Sequence, residues 1–332
     1  MIRMGRPLRR FELINAGTVD EAVRALSKYD GRAWPFAGGT DVLRVLRFRP
    51  LPEDLMPDAL VNLKTISPSM SYIKEEDGVL RIGATTRLAD ISRDPLVRSG
   101  YQVLAEAAEA VATPQVREMG TIAGNISQLP QCLYFRKPDD RFHCARKGGS
   151  VCYAQSGDYR YHSVFGAVNN CIMPNTSDIA PALVALGARI RTDRRTLEAE
   201  EFWDVRVPGN TVLDRDEAIT EIQVTRPPPG ARGKFLKFAV RKSIDFPLVN
   251  VAVVRGDGVA KVALNAVAPK PYRAYAAEEV LLGGGSEEDA ASAALDGAVP
   301  LQMNRWKISV ARTLVKRALL TASGRGAEGG GP

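Results

Sequence analysis

Cys132, Cys144, Cys152 and Cys171 are the only cysteines in a chain of 332 residues, and all four fall within one 40-residue window in the pattern C-x11-C-x7-C-x18-C. That crowding points to one shared task. A disulfide pair needs an oxidising compartment, and a chain of this length can bury a full core without such staples. A structural zinc site usually brings a tight C-x2-4-C knuckle, which is absent, although both histidines of the chain, His143 and His162, lie in the window and keep a mixed Cys/His site open. Iron–sulfur clusters accept longer spacings when a folded loop gathers the thiolates. The window holds six basic residues (Arg136, Lys137, Arg141, Arg146, Lys147, Arg160) against three acidic ones (Asp139, Asp140, Asp158), an excess that would offset the negative charge of a four-thiolate centre. On spacing alone, a cluster, a zinc site and unrelated free thiols all stand.

Two glycine-bearing turns precede the window. In the first, Trp34-Pro35-Phe36 leads through Ala37-Gly38-Gly39-Thr40 into an apolar helix-like stretch, Asp41-Val42-Leu43. Adjacent glycines can aim successive backbone N–H groups into one concavity, and Thr40 adds a hydroxyl, which suits a pyrophosphate. The second runs from Thr113 through Met119-Gly120-Thr121-Ile122-Ala123-Gly124-Asn125 and ends just before the cysteines. A plain strand-to-helix turn would read the same as either one, but the pair flanking one redox-capable window carries more weight. Neither the G-x-G-x-x-G dinucleotide fingerprint nor a phosphate loop ending in Gly-Lys-Ser/Thr occurs.

Composition limits what these residues can serve. Hydrophobic residues at 45% and charged residues at 25% are ordinary for a globular protein and argue against a disordered or fibrous chain. No apolar run approaches the roughly 18 residues of a membrane span, and the basic start has no apolar segment after it, so neither a span nor a signal peptide is expected, and the chain reads as cytoplasmic. The net charge of +7 is concentrated at the two ends, residues 1–50 and 301–332, each at +5. No basic helix interleaved with aromatics accompanies it, so the ends read as solvated surface or as contacts for an acidic protein partner rather than for nucleic acid.

The ordered segments FAGGTDVL (36–43), TPQVREMGTIAGNI (113–126), SDIAPALVALGA (177–188), FLKFAVRKSIDFPLVNVAV (235–253) and AVAPKPYRA (266–274) together resemble the FAD-binding medium subunit of the molybdenum hydroxylases. That family includes xanthine dehydrogenases, carbon monoxide dehydrogenase and aldehyde or aromatic oxidoreductases. The resemblance spans about 11–320. About fifty residues separate the second glycine turn from the SD motif, where most members have a short connection. This insertion is similar to that of the 4-hydroxybenzoyl-CoA reductase beta subunit and of some aldehyde oxidoreductase flavin subunits, in which it carries an extra [4Fe-4S] cluster. Cys171 stands seven residues before Asp178, as the last ligand does there.

The resemblance implies a role for each matched position. Ala37, Gly38, Gly39, Thr40, Asp41, Val42, Leu43 and Arg44 would wrap the FAD pyrophosphate. Thr113 and Thr121 would donate hydroxyls, Gly124 and Asn125 would allow close backbone approach, Asp178 would accept from the ribityl chain, and Lys237 would lie near the flavin ring. Cys132, Cys144, Cys152 and Cys171 would ligate a [4Fe-4S] cluster on a surface loop with little core of its own. The chain would pass electrons within a heterotrimer, or a dimer of heterotrimers, whose large subunit holds the molybdenum cofactor and whose small subunit holds [2Fe-2S] clusters. A non-redox binding module stabilised by zinc is the alternative. Ala123 stands where relatives read the first glycine of TIGGN, and a positive φ at that position would cost roughly 1 kcal/mol. Set apart from the family, Asp178 reads as a helix cap.

The elements that must position these groups give an α+β fold. A strand is expected at 10–15, then a helix capped by Thr18 with Glu21 closing the box and Ala22, Ala25 and Leu26 facing inward. Strands are expected at 59–63, 80–84 and 219–224, and helices near 101–111 and 178–186. The run Pro227-Pro228-Pro229-Gly230 divides a two-lobed FAD-binding domain (1–228, with lobes of about 1–60 and 61–228 and the insertion at about 127–171) from a C-terminal domain at 231–322. There, strands at 235–241, 248–255 and 259–267 make a small antiparallel sheet, followed by helices near 274–282, 287–296 and 307–321. Residues 323–332 read as a disordered tail.

Overall fold

The computed structural model describes residues 7–325. The chain builds three sheets in succession. First come β1 (Glu12–Asn15), α1 (Val19–Lys28), β2 (Ala33–Phe36), α2 (Val42–Phe48) and β3 (Ala59–Asn62), with the strands in the order β1-β3-β2. Both pairings are parallel. Helix α1 starts where its cap chemistry places it: the Thr18 hydroxyl accepts from the Glu21 N–H at 3.1 Å. The return bond of the box slips by one residue, because the Glu21 carboxylate accepts from the N–H of Gly17 at 2.7 Å. Ala22 and Leu26 are buried, while Ala25 is only partly so.

The second sheet is antiparallel, in the order β4-β5-β8-β6-β7, formed by β4 (Ile73–Glu76), β5 (Val79–Gly83), β6 (Arg189–Thr192), β7 (Thr196–Glu198) and β8 (Ile219–Thr225). Between β5 and β6 lie α3 (Leu88–Arg93), α4 (Pro95–Gly100), α5 (Gln102–Glu109), α6 (Pro114–Arg117), α7 (Ile122–Ile126), the cysteine-bearing segment and α8 (Ile179–Ala185); α9 (Ala199–Phe202) follows β7. Helices α5 and α8 are lined with Ala, Leu, Ile and Val, and they bury that apolar surface in the largest core among the described residues, which this sheet shares with the third.

Residues 227–229, the three prolines, lie between β8 and the third sheet, since proline cannot continue a ladder of backbone hydrogen bonds. That sheet is antiparallel, in the order β12-β11-β10-β9: β9 (Arg232–Phe238), β10 (Val249–Gly256), β11 (Val259–Asn265) and β12 (Tyr272–Arg273). Helices α10 (Tyr275–Leu282), α11 (Glu287–Ala293) and α12 (Trp306–Ala322) cover one face with a second core of Val, Leu and Ala. The N–H of Ser323 closes α12 on Leu319 O at 2.9 Å; the rest of the expected tail, from 326 onward, lies outside the described residues. Among the described residues, no helix is long and apolar enough to cross a membrane.

Candidate functional site

Strand β2 delivers the first glycine turn to the seam between the first and second sheets, and α7 delivers the second turn to the same seam. There they bound a cavity of about 550 Å³, lined by Ala37, Gly38, Gly39, Thr40, Asp41 and Val42 from one side and Thr121, Ala123 and Gly124 from the other. The two turns also touch. A Cβ on Gly38 would sit 2.0 Å from the carbonyl oxygen of Met119, so the close approach that Gly38 permits is to the second turn. Gly39 has φ +73°, a conformation that costs other residues strain. Thr121 caps α7 by accepting the Gly124 N–H at 3.2 Å, which leaves its hydroxyl proton free to donate. Ala123 lies inside α7 with an ordinary helical backbone, so the strain weighed for that position does not arise.

The remaining expected residues are not in the wall of this cavity. Leu43 and Arg44 are exposed on α2, and Thr113 caps α6 by accepting the Val116 N–H at 3.4 Å. Asp178 does not cap α8; the Ser177 hydroxyl does, accepting from Ala180 N–H at 3.1 Å. Asp178 is instead the centre of a buried polar nest. One oxygen accepts from Lys237 Nζ at 2.7 Å and the other from Asn250 Nδ2 at 2.9 Å. Burial pushes the carboxyl up from its ordinary pKa, and the Lys237 ammonium and the Asn250 amide pull against it. Lys237 also donates to Ala110 O at 2.9 Å. Ser177 donates to Asn125 Oδ1 at 2.5 Å, joining the nest to the neighbour of cavity-lining Gly124. The amide oxygens of Asn250 and Asn265 are buried there without a partner, as acceptors waiting for a polar ligand would be. An asparagine isolated within the apolar runs of β10 and β11 was the signal that could have found them.

The cysteine segment differs from the expected surface loop. It is poor in regular structure, with one short 3-10 turn, Ala145–Lys147, yet Cys132, Cys144 and Cys171 are buried in a core shared with Val45, Leu46 and Leu60 of the first sheet's lobe. Its opening residues, Ser127, Gln128 and Leu129, line the large cavity. All four thiols are free, and all four face one small cavity of about 20 Å³ with Arg146, His162, Phe135 and Tyr153 among its walls. Burial pushes the Cys132 thiol up to about 12, and raises Cys144 and Cys171 likewise. Thiols so desolvated stay protonated until a cation takes the proton's place on the sulfur. The fixed charge fits that need: the buried Arg146 guanidinium reaches the Cys171 sulfur at 3.9 Å. His162 Nε2 lies 3.5 Å from the Cys132 sulfur, and burial with nearby Lys307 pushes that imidazole down to about 4. His143 points elsewhere, 2.8 Å from Asp140. Among the described residues, no three His, Cys, Asp or Glu side chains converge tightly enough for a single metal ion.

Helix α12 fastens this wall from the far end of the chain. Lys307 Nζ donates to Tyr161 O and His162 O at 3.1 Å each and to Ala266 O, and Asn304 Nδ2 donates to Ser163 O at 2.8 Å.

Residues 9–227 match the family described as the FAD binding domain in molybdopterin dehydrogenase. The chain belongs to that family. Within it, the chain is 32% identical to the aldehyde oxidoreductase FAD-binding subunit PaoB of Escherichia coli (strain K12), across 95% of this chain and 99% of that protein. It is 29% identical to the carbon monoxide dehydrogenase medium chain of Hydrogenophaga pseudoflava, across 95% of this chain and 98% of that one. Among solved structures, carbon monoxide dehydrogenase from the same organism, in a form lacking the Mo-pyranopterin moiety, superposes with a TM-score of 0.73 at 28% identity, covering 97% of this chain and 100% of that chain. The α+β fold is therefore that of the family's flavoprotein subunits, and the chain is an oxidoreductase subunit.

Proposed function

We propose that this chain is the FAD-binding, electron-transferring subunit of a molybdenum-dependent dehydrogenase complex, and that its four cysteines hold a [4Fe-4S] cluster of the kind found in the 4-hydroxybenzoyl-CoA reductase beta subunit. One observation carries the cluster: four free thiols from a 40-residue stretch face a single cavity with a buried guanidinium among its walls. A zinc-stabilised, non-redox module is the weaker reading, because the four cysteines lack the tight C-x2-4-C knuckle that structural zinc sites usually bring.

In this reading, the turn of residues 37–41 holds the pyrophosphate with backbone N–H groups and the Thr40 hydroxyl, and the second turn adds the Thr121 hydroxyl, since the N–H groups of residues 122–125 are spent on Thr86 O, Ala84 O and Thr121. The nest of Asp178, Lys237, Asn250 and Asn125, with Thr113 near it, serves the ribityl and flavin end. Leu43 and Arg44 serve only by continuing α2. FAD and an iron–sulfur cluster together supply a junction between two-electron and one-electron chemistry. The chain's part is to hold the two sites side by side and dry. The division proposed for the chain follows its sheets: lobes of about 1–60 and 61–228, then 231–322. We assign the assembly as a heterotrimer, or a dimer of heterotrimers, with a molybdenum-bearing large subunit and a [2Fe-2S] small subunit. Free thiols suit a cytoplasmic setting.

Anaerobic purification followed by iron, acid-labile sulfide and flavin analysis tests this. The expected result for this chain separated from its partner subunits is one FAD with about four iron and four sulfide, and less iron in each single Cys→Ser variant. Zinc without sulfide overturns the cluster, and a colourless protein overturns the whole reading.

A further inference from the structure

The large cavity and the cysteine cavity share struts. Arg136, four residues after Cys132, donates to Leu129 O at 2.9 Å and Pro130 O at 2.7 Å, and its Nη2 pairs with the Asp41 carboxylate at 2.8 Å. Asp41 in turn accepts from Leu129 N–H at 3.1 Å. Asp41 and Leu129 both line the large cavity, so one guanidinium ties the glycine turn to the start of the cysteine segment. The second strut is Arg146, buried to 3% exposure. It faces the Cys171 sulfur at one end, and at the other it donates to Arg206 O at 3.0 Å, to Gly209 O and to Asn210 Oδ1. Arg206 and Gly209 wall the large cavity, and Asn210 Nδ2 holds Gln128 O at 2.8 Å.

We propose that Arg136 and Arg146 couple the two cavities, so that order in the cysteine segment is needed for tight FAD binding and bound FAD in turn keeps that segment ordered. The inference rests on FAD occupying the large cavity. It does not depend on what the cysteines hold. Arg136 and Arg146 are positioning residues: neither lines the large cavity, and each acts on it through a loop that does. Coupling between binding sites is reciprocal, so it is visible from either side.

The test uses the full chain with its co-purifying subunits, stripped of flavin and titrated with FAD, while cleavage within 131–170 is followed by mass spectrometry. In the parent protein, FAD should slow that cleavage about tenfold, in the ordinary range for coupled sites. In Arg136→Gln and Arg146→Gln, FAD should bind about tenfold more weakly and should protect the segment less than about twofold. Arg136→Lys keeps the charge with fewer bonds and should fall between. A merely structural role would weaken binding without removing the FAD dependence of protection, and Arg136→Lys carries this comparison if Arg146→Gln fails to fold. Equal protection by FAD in the parent and in these variants overturns the coupling. Iron and sulfide on the same samples, compared with a Cys152→Ser variant so that the [2Fe-2S] subunit's own content cancels, report separately on the cluster: FAD-dependent protection with no iron above that reference supports the coupling and removes the cluster.

Discussion

Adding one methyl group at Gly38 should open the seam between the two glycine turns. The new Cβ would lie 2.0 Å from Met119 O, 2.8 Å from Met119 C and 3.0 Å from Gly120 Cα, all backbone atoms that cannot rotate aside. To restore a tolerable contact the turns must part by about 1 Å, an overpacking that costs roughly 1–3 kcal/mol. The same shift draws the N–H groups of residues 38–40 away from anything held between the turns. Losing one or two hydrogen bonds to a charged group, at about 1.5–3 kcal/mol each, weakens binding by ten- to a hundredfold or more. Gly38→Ala should therefore purify folded, with a lower Tm and little flavin, and a fluorescence titration should give an FAD Kd raised at least about tenfold. Gly100→Ala is the control: at the end of α4 and outside the cavity lining, its Cβ would meet only the Arg226 guanidinium, at an ordinary 3.5 Å. If Gly38→Ala retains the parent's FAD affinity and Tm, the two turns are not packed as described and the pyrophosphate assignment fails with them.

Two further predictions concern buried charge. Lys237→Met leaves the Asp178 carboxylate buried with only the Asn250 amide and should cost about 3–5 kcal/mol in urea unfolding, whereas adding Asp178→Asn to it should recover most of that loss; no recovery would mean that the pair is not the reason for the loss. Glu221, on β8, would be pushed up by burial, but hydrogen bonds from Gln223, Tyr72 and Arg81 outweigh this and hold its carboxyl below the usual value. The folded state thus binds fewer protons there than the unfolded one, so its contribution to stability is present above about pH 4.5 and is lost as the pH falls. Glu221→Gln should lower the Tm at neutral pH and flatten its fall between pH 5 and about pH 3; an unchanged slope would remove Glu221 from the acid response.

Much of the fold was legible because periodicity and burial agree. The apolar runs around 59–63, 80–84, 219–224 and 248–255 become β3, β5, β8 and β10 within a residue or two, and the patterns at 274–282 and 307–321 become α10 and α12. What escaped included β12, the short helices α3, α4, α6 and α9, the strands β4, β6 and β7, whose exposed charged residues alternate with few buried ones, and the parallel pairing of β1–β3, which no local pattern encodes. The cysteine segment was misjudged as surface for a related reason. Its charges look solvated in sequence, yet Lys147 lies wholly buried with its ammonium on Pro50 O at 2.8 Å and paired with Asp140 at 2.8 Å, and Arg146 is satisfied by backbone carbonyls 60 and more residues away. Burial of charge by distant carbonyls leaves no mark on composition. The site divided likewise: the residues with a steric reason to be glycine were plain, whereas Arg136, Asn250 and Asn265 matter through partners that only the folded chain brings near.

The bonds from Asn304 and Lys307 to the carbonyls of residues 161–163 set an order of events as well as a position. A ribosome that has just released the four cysteines has more than a hundred residues still to add before the ammonium that fastens the His162 wall exists. Through that interval the wall lacks its anchor, and the thiols remain open to solvent and to oxygen. Closure belongs to the last helix. If the thiols take up the proposed cluster, its loading can begin early in translation but is sealed only when α12 docks.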